Sequence, residues 1–98
     1  MLEIKEWQEY ITSWAEAKGF VWIPENIDTI LLRLHSEVSE ASECVRDNQF
    51  ESLGEEFADL FIRLANACEV MGIDLEKEVA IKMIKNEGRA HLHGRSRK

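Results

Sequence analysis

The sequence predicts an all-α fold, an antiparallel four-helix bundle-like domain that assembles with further copies. Three observations carry that expectation. Apolar residues recur every three to four positions through four stretches of the chain, and nowhere alternate with the period of two that a half-buried strand requires. One Pro and five Gly punctuate the chain close to where those stretches end. Finally, 98 residues make one small domain, and a domain of that size buries a limited share of its surface alone.

In the first helix Ile4, Trp7, Ile11 and Trp14 form one apolar stripe, expected in the core, and Gly19 suits the left-handed residue just past a helix end. Residues 20–26, Phe-Val-Trp-Ile-Pro-Glu-Asn, break the period and hold the Pro, so they form a loop. The second helix is expected from Ile27 to Arg46, burying Ile27, Ile30, Leu31, Leu34, Val38, Ala41 and Val45, with Asp47-Asn48 as a turn. The third opens on Ser52 with Glu55 three residues later, a capping-box pattern, and ends near Met71 before Gly72. Its apolar residues cover most of the circumference and leave Arg63, Asn66 and Glu69 as a polar stripe. A helix of that kind lies at the centre of a bundle or between subunits. Asp74 is the expected N-cap of a fourth helix that runs to about Glu87, before Gly88.

Composition narrows the setting. A 45% hydrophobic chain with three Trp builds a packed core and is not disordered. Cys44 and Cys68 fall in helix-like apolar stretches and read as reduced core residues, and the first residues lack a signal-peptide pattern. No apolar run approaches the ~18 residues that span a bilayer. A cytoplasmic protein with no membrane association is expected. The net charge of −7 is uneven: residues 1–84 hold 7 Lys/Arg against 18 Asp/Glu, whereas 85–98 hold five basic residues against Glu87. An acidic body argues against stable nucleic-acid binding, which relies on neutralising phosphates. Residues 88–98 read as a basic tail, solvated and partly frayed.

Against this background two acidic pairs stand out. Glu37 and Glu40 lie three residues apart on the second helix, and Glu56 and Asp59 lie three apart on the third. Residues so spaced share a helix face. Asp59 sits among Phe57, Ala58, Leu60 and Phe61, where an ionised carboxylate needs a partner or a metal. Fifteen residues separate Glu40 from Glu56, enough for the end of one helix, a turn and the start of the next. Antiparallel packing would then bring the pairs face to face. Four carboxylates so placed repel one another, and a hard divalent cation such as Mg²⁺ removes the conflict. On the fourth helix Leu75, Val79, Lys82, Asn86, Arg89 and His93 step by three or four and form one face if the helix persists. Lys82, Asn86 and Arg89 are phosphate- and amide-type donors. Phe20 and Trp22, large rings in the loop, are candidates to stack on a base.

In order and spacing, Glu37-x-x-Glu40, Glu56-x-x-Asp59, Lys82, Asn86, Arg89 and His93-Gly94-Arg95 resemble the MazG-like nucleoside triphosphate pyrophosphohydrolases of the all-α NTP pyrophosphatase superfamily. The resemblance runs from about Trp7 to Arg95, with one departure: Ser36 stands where the family usually has the leading Glu of its first motif. It implies Mg²⁺, with Mn²⁺ as a substitute, on Glu37, Glu40, Glu56 and Asp59. It further implies nucleotide contacts from Lys82, Asn86, Arg89 and His93, and hydrolysis of a (deoxy)nucleoside triphosphate to monophosphate and pyrophosphate. Glu37 or Glu40 is the candidate general base. Homodimers or homotetramers with sites shared between subunits are implied as well. Two other readings stay open on the residues: a non-catalytic helical interaction module, and a pyrophosphohydrolase acting on another phosphoanhydride.

Overall fold

The computed structural model describes residues 1–89. Four α-helices, α1 (Ile4–Ala17), α2 (Ile27–Arg46), α3 (Leu53–Val70) and α4 (Leu75–Glu87), are joined by a loop over residues 18–26, whose last part is a 3-10 turn (Pro24–Asn26), and by two shorter connections, and no strand is present among the described residues. None of these helices is long and apolar enough to cross a membrane. His93 and most of the basic tail lie outside the described residues.

Three helices end the same way. After α1 the Gly19 N–H bonds the Glu16 carbonyl and the Phe20 N–H the Ala15 carbonyl, with Gly19 at φ 94°. After α3 Gly72 and Ile73 repeat the pattern on Glu69 and Cys68, with Gly72 at φ 70°. After α2 the left-handed residue is Asn48 (φ 57°), whose N–H reaches Val45 while that of Gln49 reaches Cys44. Each pair closes two carbonyls that a helix end would leave bare. Asp74 caps α4 as expected, its carboxylate accepting from the Lys77 N–H at 3.2 Å. The Ser52 capping box does not form. A 3-10 turn, Phe50–Ser52, feeds straight into α3, so Ser52 is already near-helical (φ −91°, ψ −7°) and its side chain caps nothing.

The short turn between α2 and α3 makes them an antiparallel hairpin with the most extensive packing in the chain, and α1 lies against α3. The core is narrow: Ile11, Ala15, Ile30, Ala41, Cys44, Ala65, Ala67 and Cys68. Both cysteines are therefore buried, and both are free thiols. Two predicted stripes are rotated. In α1 the buried face is Gln8, Ile11 and Ala15, while Trp7 and Trp14 stand at its flank and are exposed. In α2 it is Ile30, Glu37, Ala41 and Cys44, while Leu31, Val38 and Val45 are exposed. A helix in so thin an assembly covers only one strip, and its remaining apolar residues face outward.

The polar stripe of α3 is also turned inward. The Asn66 amide, buried, donates to the Thr12 hydroxyl at 2.9 Å, and Arg63 reaches Glu37. Glu69 accepts from Gln8 at 3.3 Å. Gln8, 1% exposed, also donates to the Ile73 carbonyl at 2.8 Å and accepts from the Leu75 N–H at 3.0 Å. That amide ties α1 to the turn where α4 begins. Beyond the tie α4 contributes no buried residue, and it packs chiefly on α1. The helical bundle is thus not closed by the fourth helix within one chain.

Candidate active site

The hairpin of α2 and α3 aligns their acidic pairs. Glu37 occupies the centre of the buried face of α2, and Glu56 and Asp59 lie one turn apart on α3 opposite it. One carboxylate oxygen from each of Glu37, Glu56 and Asp59 falls within 4.8 Å of the others. Glu40 stands outside that set. The buried face of α2 proceeds from Glu37 to Ala41, so a residue three positions on sits at its edge, where Glu40 is exposed on the wall of an adjoining pocket.

The set is not neutralised within itself. The Arg63 Nε donates to Glu37 Oε2 at 3.3 Å, a single contact with the arginine partly exposed. Glu56 Oε1 is shut off from solvent and has no hydrogen-bond partner among the described residues. Burial first, then the charges of Glu40, Asp59, Glu37 and Glu55, hold the Glu56 carboxyl above its ordinary range. Three carboxylates within reach of one another, one of them with a buried, unpartnered oxygen, are a donor set of the type that hard divalent cations take, and these residues fit such an ion. The apolar neighbours that made Asp59 conspicuous do not enclose it: Phe57 and Ile62 are exposed, and Asp59 points to the hairpin seam.

A cavity of about 410 Å³ opens beside the carboxylates. Arg33, Glu37, Glu40, Asp59, Arg63 and Asn66 give it polar and charged lining, and Ile11, Trp14, Phe20, Trp22 and Ile62 give it apolar and aromatic lining. Phe20 and Trp22 thus share a pocket with the acidic motifs, although they lie on the loop after α1. Trp14, read in the sequence as core, lines it too. Arg33 and Arg63 were not singled out in the sequence. Arg33 was detectable, since it precedes Glu37 by four residues and so shares its face. Arg63 was named only as part of the polar stripe of α3.

Lys82, Asn86 and Arg89 do not line this cavity. They belong to the α4 region, which leaves the body of the chain, and the face they were to share is interrupted. The helix stops at Glu87 with Gly88 as its cap, so Arg89 lies past its end. The Asn86 amide contacts only the sulfur of Met83, at 3.9 Å, among the described residues.

The MazG nucleotide pyrophosphohydrolase domain matches residues 25–93, about seven tenths of the chain, including both acidic pairs and the whole of α4. Comparisons with curated proteins and with solved structures give no match. From the extent of the domain match, the chain belongs to the MazG nucleotide pyrophosphohydrolase family.

Proposed function

We propose that the protein hydrolyses (deoxy)nucleoside triphosphates to monophosphate and pyrophosphate in a Mg²⁺-dependent reaction, with Mn²⁺ able to substitute. The observation that carries this reading is the meeting of Glu37, Glu56 and Asp59, with a Glu56 oxygen buried and without a hydrogen-bond partner among the described residues. These three carboxylates, with Glu40 at the pocket edge, would hold the cation. When bound, it supplies charge neutralisation, polarisation of phosphoryl oxygens and a more acidic water. Arg63 restrains Glu37 through their 3.3 Å contact. Glu40 has no such partner among the described residues and faces the cavity, which suits it to take the proton of an attacking water. Attack at the α-phosphorus breaks the bond to the bridging oxygen, and pyrophosphate leaves with that oxygen. The aromatic rings of Phe20 and Trp22 in the cavity lining take the base.

The chain would act as a single domain in a homo-oligomer, dimer or tetramer. Large apolar side chains are exposed on every helix, including Val79, Ile81, Met83 and Ile84 on α4. A groove between α1 and α3 is lined by Trp7, Tyr10, Trp14, Ala58, Phe61 and Ile62. Apolar surface of this extent marks an interface. A neighbouring copy would bring Lys82, Asn86, Arg89 and His93 to the phosphates. The buried free thiols suit a reducing compartment, and we place the protein in the cytoplasm.

Incubation with Mg²⁺ and a panel of deoxynucleoside and ribonucleoside triphosphates is expected to yield monophosphate and pyrophosphate in equal amounts. Orthophosphate and diphosphate would contradict attack at the α-phosphorus. Turnover only of nucleotide-sugars or other phosphoanhydrides would keep the chemistry and replace the substrate.

The cation is tested separately from turnover. The folded state holds the Glu56 pKa above its ordinary value of 4.5. Between the two values the folded protein therefore binds more protons than the unfolded chain. That contribution to stability is fully present below the unfolded pKa and is lost as pH rises through the folded one. In chelator, Glu56 is thus expected to lower the unfolding midpoint as pH rises from 4.5 towards neutrality. Mg²⁺ or Mn²⁺ should raise the midpoint more at neutral pH than at pH 5, because cation and proton compete for one carboxylate. An equal shift at both pH values would exclude the cluster as the binding site.

A further inference from the structure

Arg33 is a cation inside an acidic site that pairs with none of its carboxylates. It precedes Glu37 by four residues and Glu40 by seven, so all three lie on one face of α2. All three also line the same cavity. Yet the guanidinium lies over the Trp22 ring, 5.3 Å from its centroid, and among the described residues it forms no ion pair. Arg63, on the opposite wall, does pair with Glu37. The planar guanidinium covers the ring face on which a heterocycle would stack. Arg33 is exposed, and an exposed stack of this kind is weak enough to be exchanged for a better partner.

We propose that Arg33 is a substrate-contacting residue that changes partners during binding. This rests on the nucleotide reading above. With the pocket empty, Arg33 covers Trp22. When substrate enters, the base takes the ring face, and the guanidinium swings along α2 to the triphosphate oxygens held near Glu37 and Glu40. The exchange links the two halves of recognition. A nucleoside without phosphates must displace Arg33 and offers it nothing in return, whereas a triphosphate offers charge-assisted hydrogen bonds. The pocket therefore discriminates against uncharged nucleosides although its aromatic side chains would accept their bases.

The test compares wild type, Arg33→Ala and Arg33→Lys by calorimetric binding in Mg²⁺. The ligands are the four α,β-methylene deoxynucleoside triphosphates, which resist cleavage at the proposed bond, and the matching deoxynucleosides. Arg33→Ala is expected to weaken the preferred triphosphate analogue by roughly tenfold or more, the worth of one hydrogen bond to a charged group. Its affinity for the free nucleoside should be equal or higher, because Trp22 is uncovered. Arg33→Lys should recover part of the analogue affinity. Unchanged analogue binding by Arg33→Ala would overturn the exchange, and so would equal weakening of analogue and nucleoside, the mark of a purely structural residue. Wild type that binds none of the analogues would overturn the nucleotide reading itself, and this proposal with it.

Discussion

Asp59→Asn protein is expected to remain folded and to lose turnover at least a hundredfold. Asparagine keeps the shape of the side chain and removes one of three negative charges whose oxygens lie within 4.8 Å of one another. Without a cation those charges repel, so the variant should unfold in chelator at the same temperature as wild type or higher. The functional loss follows from the same change. Disturbing an outer partner of a metal ligand already costs roughly 10–100-fold, and a lost ligand costs more. Two readouts separate the cation's role from a general defect. The rise in midpoint caused by Mg²⁺ should nearly vanish in the variant, while its circular dichroism stays that of wild type. Retained turnover would remove Asp59 from the site, and loss of helicity would make its role structural.

Ile84→Asp tests the second large expectation. Ile84 is 71% exposed on α4 and touches no core. In an isolated chain such a substitution changes stability by no more than about 0.5 kcal/mol. If α4 is covered by a neighbouring copy, the aspartate must be buried unpaired, at a cost of roughly 2 kcal/mol or more. Wild type is then expected to sediment as a dimer or larger species and Ile84→Asp as a smaller one, with a lower unfolding midpoint. Turnover should fall as well, because Lys82, Asn86 and Arg89 lie on the segment that would no longer reach the cavity. An unchanged sedimentation coefficient would show that this face of α4 is not the interface.

The two predictions depend on parts of the molecule that were unequally legible in the sequence. The α2–α3 hairpin was legible in its helix bounds and in the spacing of its acidic pairs. Helix boundaries follow from local events, a left-handed Gly or Asn after the last turn and an Asp before the first, and those events need only a few neighbouring residues. The spacing of Glu37 and Glu40, and of Glu56 and Asp59, is local too, and a short connection leaves two helices little choice but to run antiparallel. The Ser52–Glu55 capping box was local yet misleading, because the residues before it continue as a 3-10 turn and never reach the extended backbone that a cap requires.

What the sequence determined by itself was the all-α class, four helices nearly to the residue, and two carboxylate pairs able to meet. Tertiary structure decided the rest. Which face of a helix is buried depends on what lies against it, and with α1 and α2 packed on α3 and the start of α4 tied to α1, Gln8 and Asn66 are inside while Trp7, Trp14 and Val38 are exposed. Periodicity marks an apolar stripe without saying whether its partner is the same chain or another. The ion pair of Arg63 with Glu37, the hydrogen bond of Asn66 to Thr12 and the guanidinium of Arg33 over Trp22 likewise join side chains of different elements. Periodicity within one helix says nothing of such a contact, so only the folded chain brings them together.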